Sequence, residues 1–187
     1  MCNEIIIFVV FMAMFLGVAY LFYFRSSKKP VTGKAYFRRK KSFHIDFPSG
    51  WKKKPSNKPE IIAASTCGNG GSITILSKPL PKDIENFTLG DFSSEQLEII
   101  IKEVFCSIEN KYSGAVLHDN GITRINNKSA IWFLYSYSYN SDFIKMLELV
   151  TFCNRKQYTM ACAAPAFLFA AYENLFWNTL RSTIFEK

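Results

Sequence analysis

The sequence has few of the groups with which enzymes and metal sites work. Its two histidines, His44 and His118, are far apart and do not have the spacing of metal ligands. Its five cysteines include no C-x-x-C pair, and a nucleophilic cysteine would need a base and an orienting partner beside it. Nucleophile-elbow, dinucleotide-binding and metalloprotease motifs are all absent. We therefore expect a protein that is not an enzyme and that holds no metal or other cofactor.

Excess positive charge is lacking from most of the chain, although the formal net charge is +8. Residues 1–24 contain Glu4 and no basic residue, and residues 59–187 contain eleven basic and thirteen acidic residues. Residues 25–58 hold the other twelve basic residues, against Asp46 alone. A nucleic-acid-binding domain would spread its charge over the folded face that meets phosphate. We therefore expect no nucleic-acid partner.

Charged residues are also absent from residues 5–24, which read IIIFVVFMAMFLGVAYLFYF. A helix of that length is about 30 Å long, which is the thickness of the hydrocarbon core of a bilayer. A cleaved signal peptide is the alternative, but it would have a basic start and an apolar run of only about 7–15 residues. The apolar run here continues past the possible cleavage site at Gly17-Val18-Ala19. The sequence thus predicts that residues 1–24 form an uncleaved transmembrane anchor.

The flanks of the apolar run predict its orientation. Eight basic residues follow the run within residues 25–41, and none precedes it. Basic residues near a span stay on the cytoplasmic side of the membrane. We therefore expect a single-pass protein of the cell membrane whose body is cytoplasmic, and a body on the exported face is the alternative. Cysteines without paired spacing agree with a reducing compartment.

Residues 25–41, RSSKKPVTGKAYFRRKK, have no steady hydrophobic period and include Pro30 and Gly33, which is typical of a linker. Their charges can fix the topology of the span. They can also lie on anionic lipid headgroups, where each basic residue contributes about 1 kcal/mol. The two roles are compatible. The candidate membrane-surface residues are Arg25, Lys28, Lys29, Lys34, Arg38, Arg39, Lys40 and Lys41.

The rest of the chain has the pattern of an α+β domain. Helix 93–110 has apolar residues at helical spacing, and Ser93 with Gln96 forms a capping box at its start. The other helix closes the chain and uses Ile184 on its apolar face. Strands are predicted over residues 42–47, 61–66, 72–77, 121–125, 129–139, 143–153 and 157–164, and helices over residues 93–110 and 166–184.

The predicted hairpin across Asn154-Arg155-Lys156 decides whether two cysteines can meet. If Asn154 pairs with Gln157, Cys162 faces Leu149 and shares a face of the sheet with Cys153. The two thiols are then about 13 Å apart along the strands. That separation forbids a disulfide without rebuilding the hairpin.

One long strand carries a row of aromatic side chains on a single face. Ile131, Phe133, Tyr135, Tyr137 and Tyr139 alternate with the residues of the opposite face. Such a row can be a binding platform, but packing beneath a helix is its commoner role. We predict that this row belongs to the core.

The start of the body resembles a known family. Phe43-His-Ile-Asp-Phe-Pro-Ser-Gly-Trp51 is similar to the F-x-I-x-(Y/F)-P-x-G-W start of PsbP-like domains, a family that includes Mog-like and DcrB-like proteins. The central helix, the Asn126-Asn127 hairpin with its aromatic strand and the closing helix follow in the same order. The resemblance covers residues 42–187. It implies an antiparallel sheet flanked by helices in an α/β/α sandwich, and a binding or assembly-assisting role without catalysis.

Three parts follow from these observations: a transmembrane anchor in residues 1–24, a basic juxtamembrane linker in residues 25–41 and a PsbP-like α+β domain in residues 42–187. We expect a membrane-anchored, non-catalytic protein that binds an unidentified protein partner. No partner or metal residue of the family can be carried over, because no matching motif is present. The alternative is a small-molecule or lipid-binding module with a pocket between sheet and helix.

Overall fold

A computed structural model of the chain describes residues 43–81, 88–112 and 114–185. The described part contains two helices, a seven-stranded sheet and a two-stranded sheet. The strands are β1 (Phe43–His44), β2 (Lys52–Lys53), β3 (Ile61–Thr66), β4 (Ser72–Pro79), β5 (Val116–Ile125), β6 (Lys128–Tyr139), β7 (Asp142–Cys153), β8 (Lys156–Pro165) and β9 (Ile184–Phe185). The α-helices are α1 (Ser94–Lys111) and α2 (Ala166–Arg181), and a 3-10 turn covers Leu89–Asp91.

The large sheet is antiparallel throughout, with the strand order β2-β3-β4-β8-β7-β6-β5. Its two faces are covered by different helices. The face that carries Ile131, Phe133 and Tyr135 packs against the apolar side of α1, and the opposite face packs against α2. The expected α+β sandwich is therefore confirmed, and so is the prediction that the aromatic row of β6 belongs to the core.

Sequence predicted the start of α1 well. The Ser93 hydroxyl accepts a hydrogen bond from the Gln96 amide at 3.3 Å, and the Gln96 side chain accepts one from the Ser93 amide at 2.9 Å. This reciprocal arrangement satisfies two amides that the first turn of a helix leaves without partners. The capping box is confirmed, and it places the apolar stripe of α1 against the sheet.

Three two-residue turns set the register of the long strands. Asn126-Asn127, Asn140-Ser141 and Asn154-Arg155 all have positive φ at both residues. This is the backbone of a type I′ turn, which matches the twist of an antiparallel hairpin and which asparagine tolerates. The predicted three-residue turn at Asn154-Arg155-Lys156 is therefore wrong, because Lys156 already belongs to β8.

This tighter turn moves the register that we expected for the cysteines. Cys162 faces Leu147, not Leu149. Cys153 and Cys162 do share a face, but they lie further apart along the strands than predicted. The disulfide stays excluded, and both thiols are free and buried.

Other differences lie at the ends of elements. The first strand covers only Phe43–His44 of the predicted 42–47, and the strand predicted over 121–125 already begins at Val116. The closing helix ends at Arg181, because the Ser182 hydroxyl donates to the Thr179 carbonyl and accepts from the Asp46 amide. Ile184, predicted on the helix, instead lies in β9, which pairs with β1.

Within the described ranges, neither α1 nor α2 is long and apolar enough to cross a bilayer. The predicted anchor in residues 1–24 and the predicted linker in residues 25–41 lie outside the described residues. The eight candidate membrane-surface residues also lie outside the described residues, and their contact with the membrane surface stays a prediction.

Candidate partner-binding surface

Three large apolar side chains are exposed together at one end of the sheet. Phe167 is 85% exposed, Phe143 57% and Val116 50%. Val116 opens β5, Phe143 is the second residue of β7, and Phe167 lies in the first turn of α2. The strand register brings them to the same end, because Ile144 pairs with Pro165, the residue that precedes α2. Val116 pairs with Ser136, which pairs in turn with Lys145, next to Ile144. We call Val116, Phe143 and Phe167 the apolar end.

Phe167 is exposed because of the phase of α2. Phe169, two residues later, is buried against the sheet. Two residues correspond to about 200° around a helix of 3.6 residues per turn, so Phe167 lies on the outer side. The Lys145 ammonium, 5.2 Å from the centroid of the Phe169 ring, shows that α2 begins at this level of β7. Phe143 lies two residues from Lys145 toward the Asn140-Ser141 turn, and α2 does not cover it.

The distribution of exposed apolar side chains makes this end distinctive. Single exposed apolar residues are normal on soluble domains, whereas a group of them marks an interaction surface. Six large hydrophobic residues are exposed in the described part of the chain, and half of them form the apolar end. Phe143 and Phe167 are the two aromatic ones, and aromatic side chains are enriched at protein interfaces.

One histidine borders the apolar end. His118 occupies a β-bulge between Leu117 and Asp119, and its Nε2 lies 2.8 Å from the Ser136 Oγ. Catalytic triads contain a serine hydrogen-bonded to a histidine. Ser136, however, is buried and is therefore screened from a substrate. Among the described residues, no carboxylate is hydrogen-bonded to His118 to orient its ring. The pair has the geometry of a polar border to the apolar end.

The other histidine and the cysteines are not brought together. His44 is exposed and lies 2.9 Å from the Asp46 carboxylate. Cys106 is exposed on α1, and the partly buried Cys67 thiol donates to the Tyr172 hydroxyl at 3.3 Å. The described ranges contain no group of three or more side chains that could hold a metal ion.

The two remaining described cysteines lack the environment of a nucleophile. Burial raises the pKa of the Cys153 thiol to about 11, although Lys128 and Lys156 act in the opposite direction. Burial also raises the pKa of Cys162, which is fully enclosed between the sheet and α2. Raised thiol pKa values keep the sulfur protonated and poorly reactive at neutral pH.

A buried polar cluster lies beneath α1, on the other face of the sheet. The Tyr135 hydroxyl donates to Glu148 Oε2 at 2.7 Å, and the Met146 sulfur lies 3.0 Å from the same hydroxyl. Tyr135 is 1% exposed and Glu148 7% exposed, so both belong to the interior. Burial, and then the charge of Glu148, raises the pKa of Tyr135 well above its usual value.

Tyrosine rings close this cluster. Tyr112, which caps the C-terminal end of α1, stacks on Tyr137 with ring centroids 4.4 Å apart, and its ring is 6.4 Å from that of Tyr135. Polar groups of this kind orient small ligands in pockets, and here they lie in the packed interior between helix and sheet. The internal hydrogen bond of the cluster also gives it a structural role, since buried polar groups are normally hydrogen-bonded.

Sequence reasoning missed both the apolar end and the buried Glu148. Phe167 and Phe143 look like core residues in an amphipathic pattern, and only the phase of α2 and its starting point on β7 show that they are exposed. Glu148 interrupts the apolar run of β7, and this interruption was the available signal for a buried polar cluster.

No family model matches the sequence, and no curated protein matches it significantly. Solved structures do share its fold. The solution structure of cyanobacterial PsbP from Synechocystis sp. PCC 6803 is 14% identical with a TM-score of 0.58, covering 87% of this chain and 99% of that one. The crystal structure of LpqN, involved in cell envelope biogenesis of Mycobacterium tuberculosis, is 11% identical with a TM-score of 0.57, covering 78% and 83%.

A third solved structure, from Bacteroides thetaiotaomicron, is 9% identical with a TM-score of 0.54, covering 84% of this chain and 50% of that one. At such identities the likenesses concern the fold alone. The described domain therefore has a PsbP-like fold, in which an antiparallel sheet is packed between helices.

Proposed function

We propose that the chain is a single-pass membrane-anchored, non-catalytic protein whose PsbP-like domain binds another protein and assists its assembly near the membrane. The observation that carries the proposal is the apolar end. Val116, Phe143 and Phe167 lie on regular elements of the fold, so a partner meets a preformed surface. Preformed surfaces bind with little cost in conformational entropy.

The position of the apolar end suits a tethered protein. The described chain starts at Phe43, whose ring stacks on Tyr158 at 5.7 Å near the start of β8. The apolar end lies at the other end of β8, where Pro165 leads into α2. The seven residue steps from Tyr158 to Pro165 span about 23 Å. A chain that enters from a membrane at Phe43 would thus hold the apolar end away from the lipid and open to a partner.

The predicted anchor and the basic linker support a membrane location, and the basic flank supports a cytoplasmic body. The solved structures that share the fold include one described as involved in cell envelope biogenesis, which agrees with a role beside a membrane. Protease digestion of intact cells or spheroplasts tests the sidedness. Protection of the body until the membrane is permeabilised supports the cytoplasmic side, and digestion from outside places the body on the exported face.

Affinity capture from detergent-solubilised membranes tests partner binding. We expect the native chain to retain a stoichiometric protein, and the double variant Phe143→Ser, Phe167→Ser to lose it. The matched control is Ile99→Ser, Ile122→Ser, because Ile99 and Ile122 are 53% and 50% exposed but lie outside the apolar end. Equal retention by all three proteins would contradict the assignment of this surface.

The second candidate function is a small-molecule or lipid-binding module. The observation that favours it is the buried Tyr135–Glu148 pair beneath α1. Native mass spectrometry of the purified chain tests this function. A co-purifying metabolite or lipid that is lost in Glu148→Gln would favour the pocket over the apolar end as the main site.

A further inference from the structure

Basic residues gather at the end of the sheet opposite the apolar end. Arg124 pairs with Ser129 and Ile125 with Lys128 at the β5–β6 turn, and Cys153 pairs with Lys156 at the β7–β8 turn. Arg155 lies within the second turn. We call Arg124, Lys128, Arg155 and Lys156 the basic end. Neither these pairs nor the two turns contain a carboxylate.

Two of the basic side chains converge on one point. The register of β6 and β7, continued from Ala130 and Thr151, places Lys128 beside Cys153, and Lys156 pairs with Cys153 from the other side. The two lysines are thus about 10 Å apart, which is two strand spacings. Both ammonium groups lower the pKa of the Cys153 thiol, against the larger effect of burial.

The chain also enters the domain at this end. Phe43 stacks on Tyr158, which lies two residues from Lys156 along β8. The segment that precedes Phe43 is the basic linker, so the positive charge of residues 25–41 leads directly to the basic end in the sequence. The acidic side chains Glu98, Glu103 and Glu109, in contrast, lie on the exposed face of α1.

We propose that the basic end is a second lipid-contacting surface, which docks the folded domain on an anionic bilayer beside its own anchor. This inference rests on the proposed function only in that the anchor brings the domain to the membrane. Each basic residue near an anionic surface strengthens attachment about fivefold. The docked domain has its apolar end turned away from the lipid, where a partner can reach it.

Anionic lipid fits this surface better than nucleic acid does. Surfaces that bind single-stranded nucleic acid combine basic groups with exposed aromatic rings on which bases stack. In the described part of the chain the exposed aromatic residues are Phe143 and Phe167, which lie at the opposite end.

Lysine acetylation of the full chain in proteoliposomes tests the proposal. The vesicles contain phosphatidylcholine alone or mixed with phosphatidylglycerol, and mass spectrometry reads the rate at each lysine. We expect phosphatidylglycerol to slow acetylation of Lys128 and Lys156 severalfold, and high salt to abolish the difference. Lys52 and Lys53, on the edge strand β2, serve as internal controls and should not change.

Two charge-matched variants complete the test. Lys128→Gln, Arg155→Gln, Lys156→Gln removes three of the four charges of the basic end, and Lys52→Gln, Lys53→Gln, Lys54→Gln removes the same charge elsewhere. With spectroscopic labels on the apolar end, the first variant should lose the phosphatidylglycerol-dependent orientation and the second should keep it. Equal acetylation rates on both lipids, or protection of Lys52 and Lys53 instead, would overturn the proposal.

Two further outcomes are distinguishable. Preferential retention of the full chain on DNA at physiological salt, lost only in the basic-end variant, would assign the surface to nucleic acid and overturn the proposal. Release of the chain from vesicles by alkaline carbonate would reject the transmembrane anchor. Lipid-dependent protection of Lys128 and Lys156 would still support docking in that case, since it is measured before extraction.

Discussion

Replacing Tyr135 by Phe should destabilise the domain by removing the donor to a buried carboxylate. The Tyr135 hydroxyl and Glu148 Oε2 are 2.7 Å apart, and both residues are more than nine-tenths buried. A hydrogen bond to a charged group contributes about 1.5–3 kcal/mol, and solvent does little to replace it here. Phe fills almost the same volume as Tyr, so the loss of free energy of unfolding should reflect the hydrogen bond and not a cavity.

Urea denaturation followed by tryptophan fluorescence measures this loss. For a slope of about 1–3 kcal/mol per molar urea, a 2 kcal/mol loss moves the midpoint by roughly 1 M. The same substitution in a Glu148→Gln background should cost only about 0.5–1.5 kcal/mol, because the acceptor is then neutral. If Tyr135→Phe costs the same in both backgrounds, or almost nothing in either, the charge-assisted hydrogen bond is not stabilising the fold as we infer.

Three further outcomes follow from the structure. In a thiol-labelling assay of the native protein, exposed Cys106 should react at the rate of an ordinary thiol, whereas Cys162 should react only on unfolding; fast labelling of Cys162 would contradict its burial. Burial raises the pKa of Cys162 above 9.0 and that of Tyr135 above 10.0, so both groups stay protonated longer in the fold than in the unfolded chain. The contribution of these two groups to the free energy of unfolding should therefore be complete below pH 9 and fall as the pH rises. Tyr135→Phe should reduce the slope of the free energy of unfolding against pH above pH 10 by up to about 1.4 kcal/mol per pH unit. Replacing Ser141, whose φ is 74°, by Gly should stabilise the domain by about 0.5–1 kcal/mol, and replacing it by Val should destabilise the domain. Thermal unfolding measures both changes, and the opposite order would exclude the positive φ.

Most of the fold could be predicted because local signals agree with the tertiary structure. The capping box at Ser93 determines where α1 begins, and the alternation along β6 identifies the side that packs beneath it. The end of α2 could not be predicted, because the apolar Ile184 continues the helical pattern, whereas the hydrogen bonds of Ser182 end the helix and Ile184 pairs with β1. The start of β5 was missed because the bulge at His118 interrupts its alternation.

The candidate sites were less predictable than the fold, because they depend on where elements end relative to one another. Phe167 is exposed only because Phe169 takes the buried position in α2, and no local pattern decides between the two. The predicted pairing of β7 with β8 is shifted by two residues from the observed pairing. The prediction has a three-residue turn at Asn154-Arg155-Lys156, whereas the turn consists of Asn154 and Arg155 alone. The predicted turn includes Lys156, which in fact lies in β8, and the sequence therefore does not predict the basic end.

Net charge is therefore a poor guide to the partner of this domain. Residues 59–187 have eleven basic and thirteen acidic residues, which suggests a nearly neutral surface without a preferred orientation. The fold separates these charges, because hairpin turns collect Lys128, Arg155 and Lys156 at one end of the sheet while α1 carries acidic residues along its outer face. A field that is strong at one end can orient a tethered domain even when its total charge is close to zero. In the arrangement that we propose, the basic linker and the basic end act on the same membrane surface, and together they orient the apolar end toward a partner.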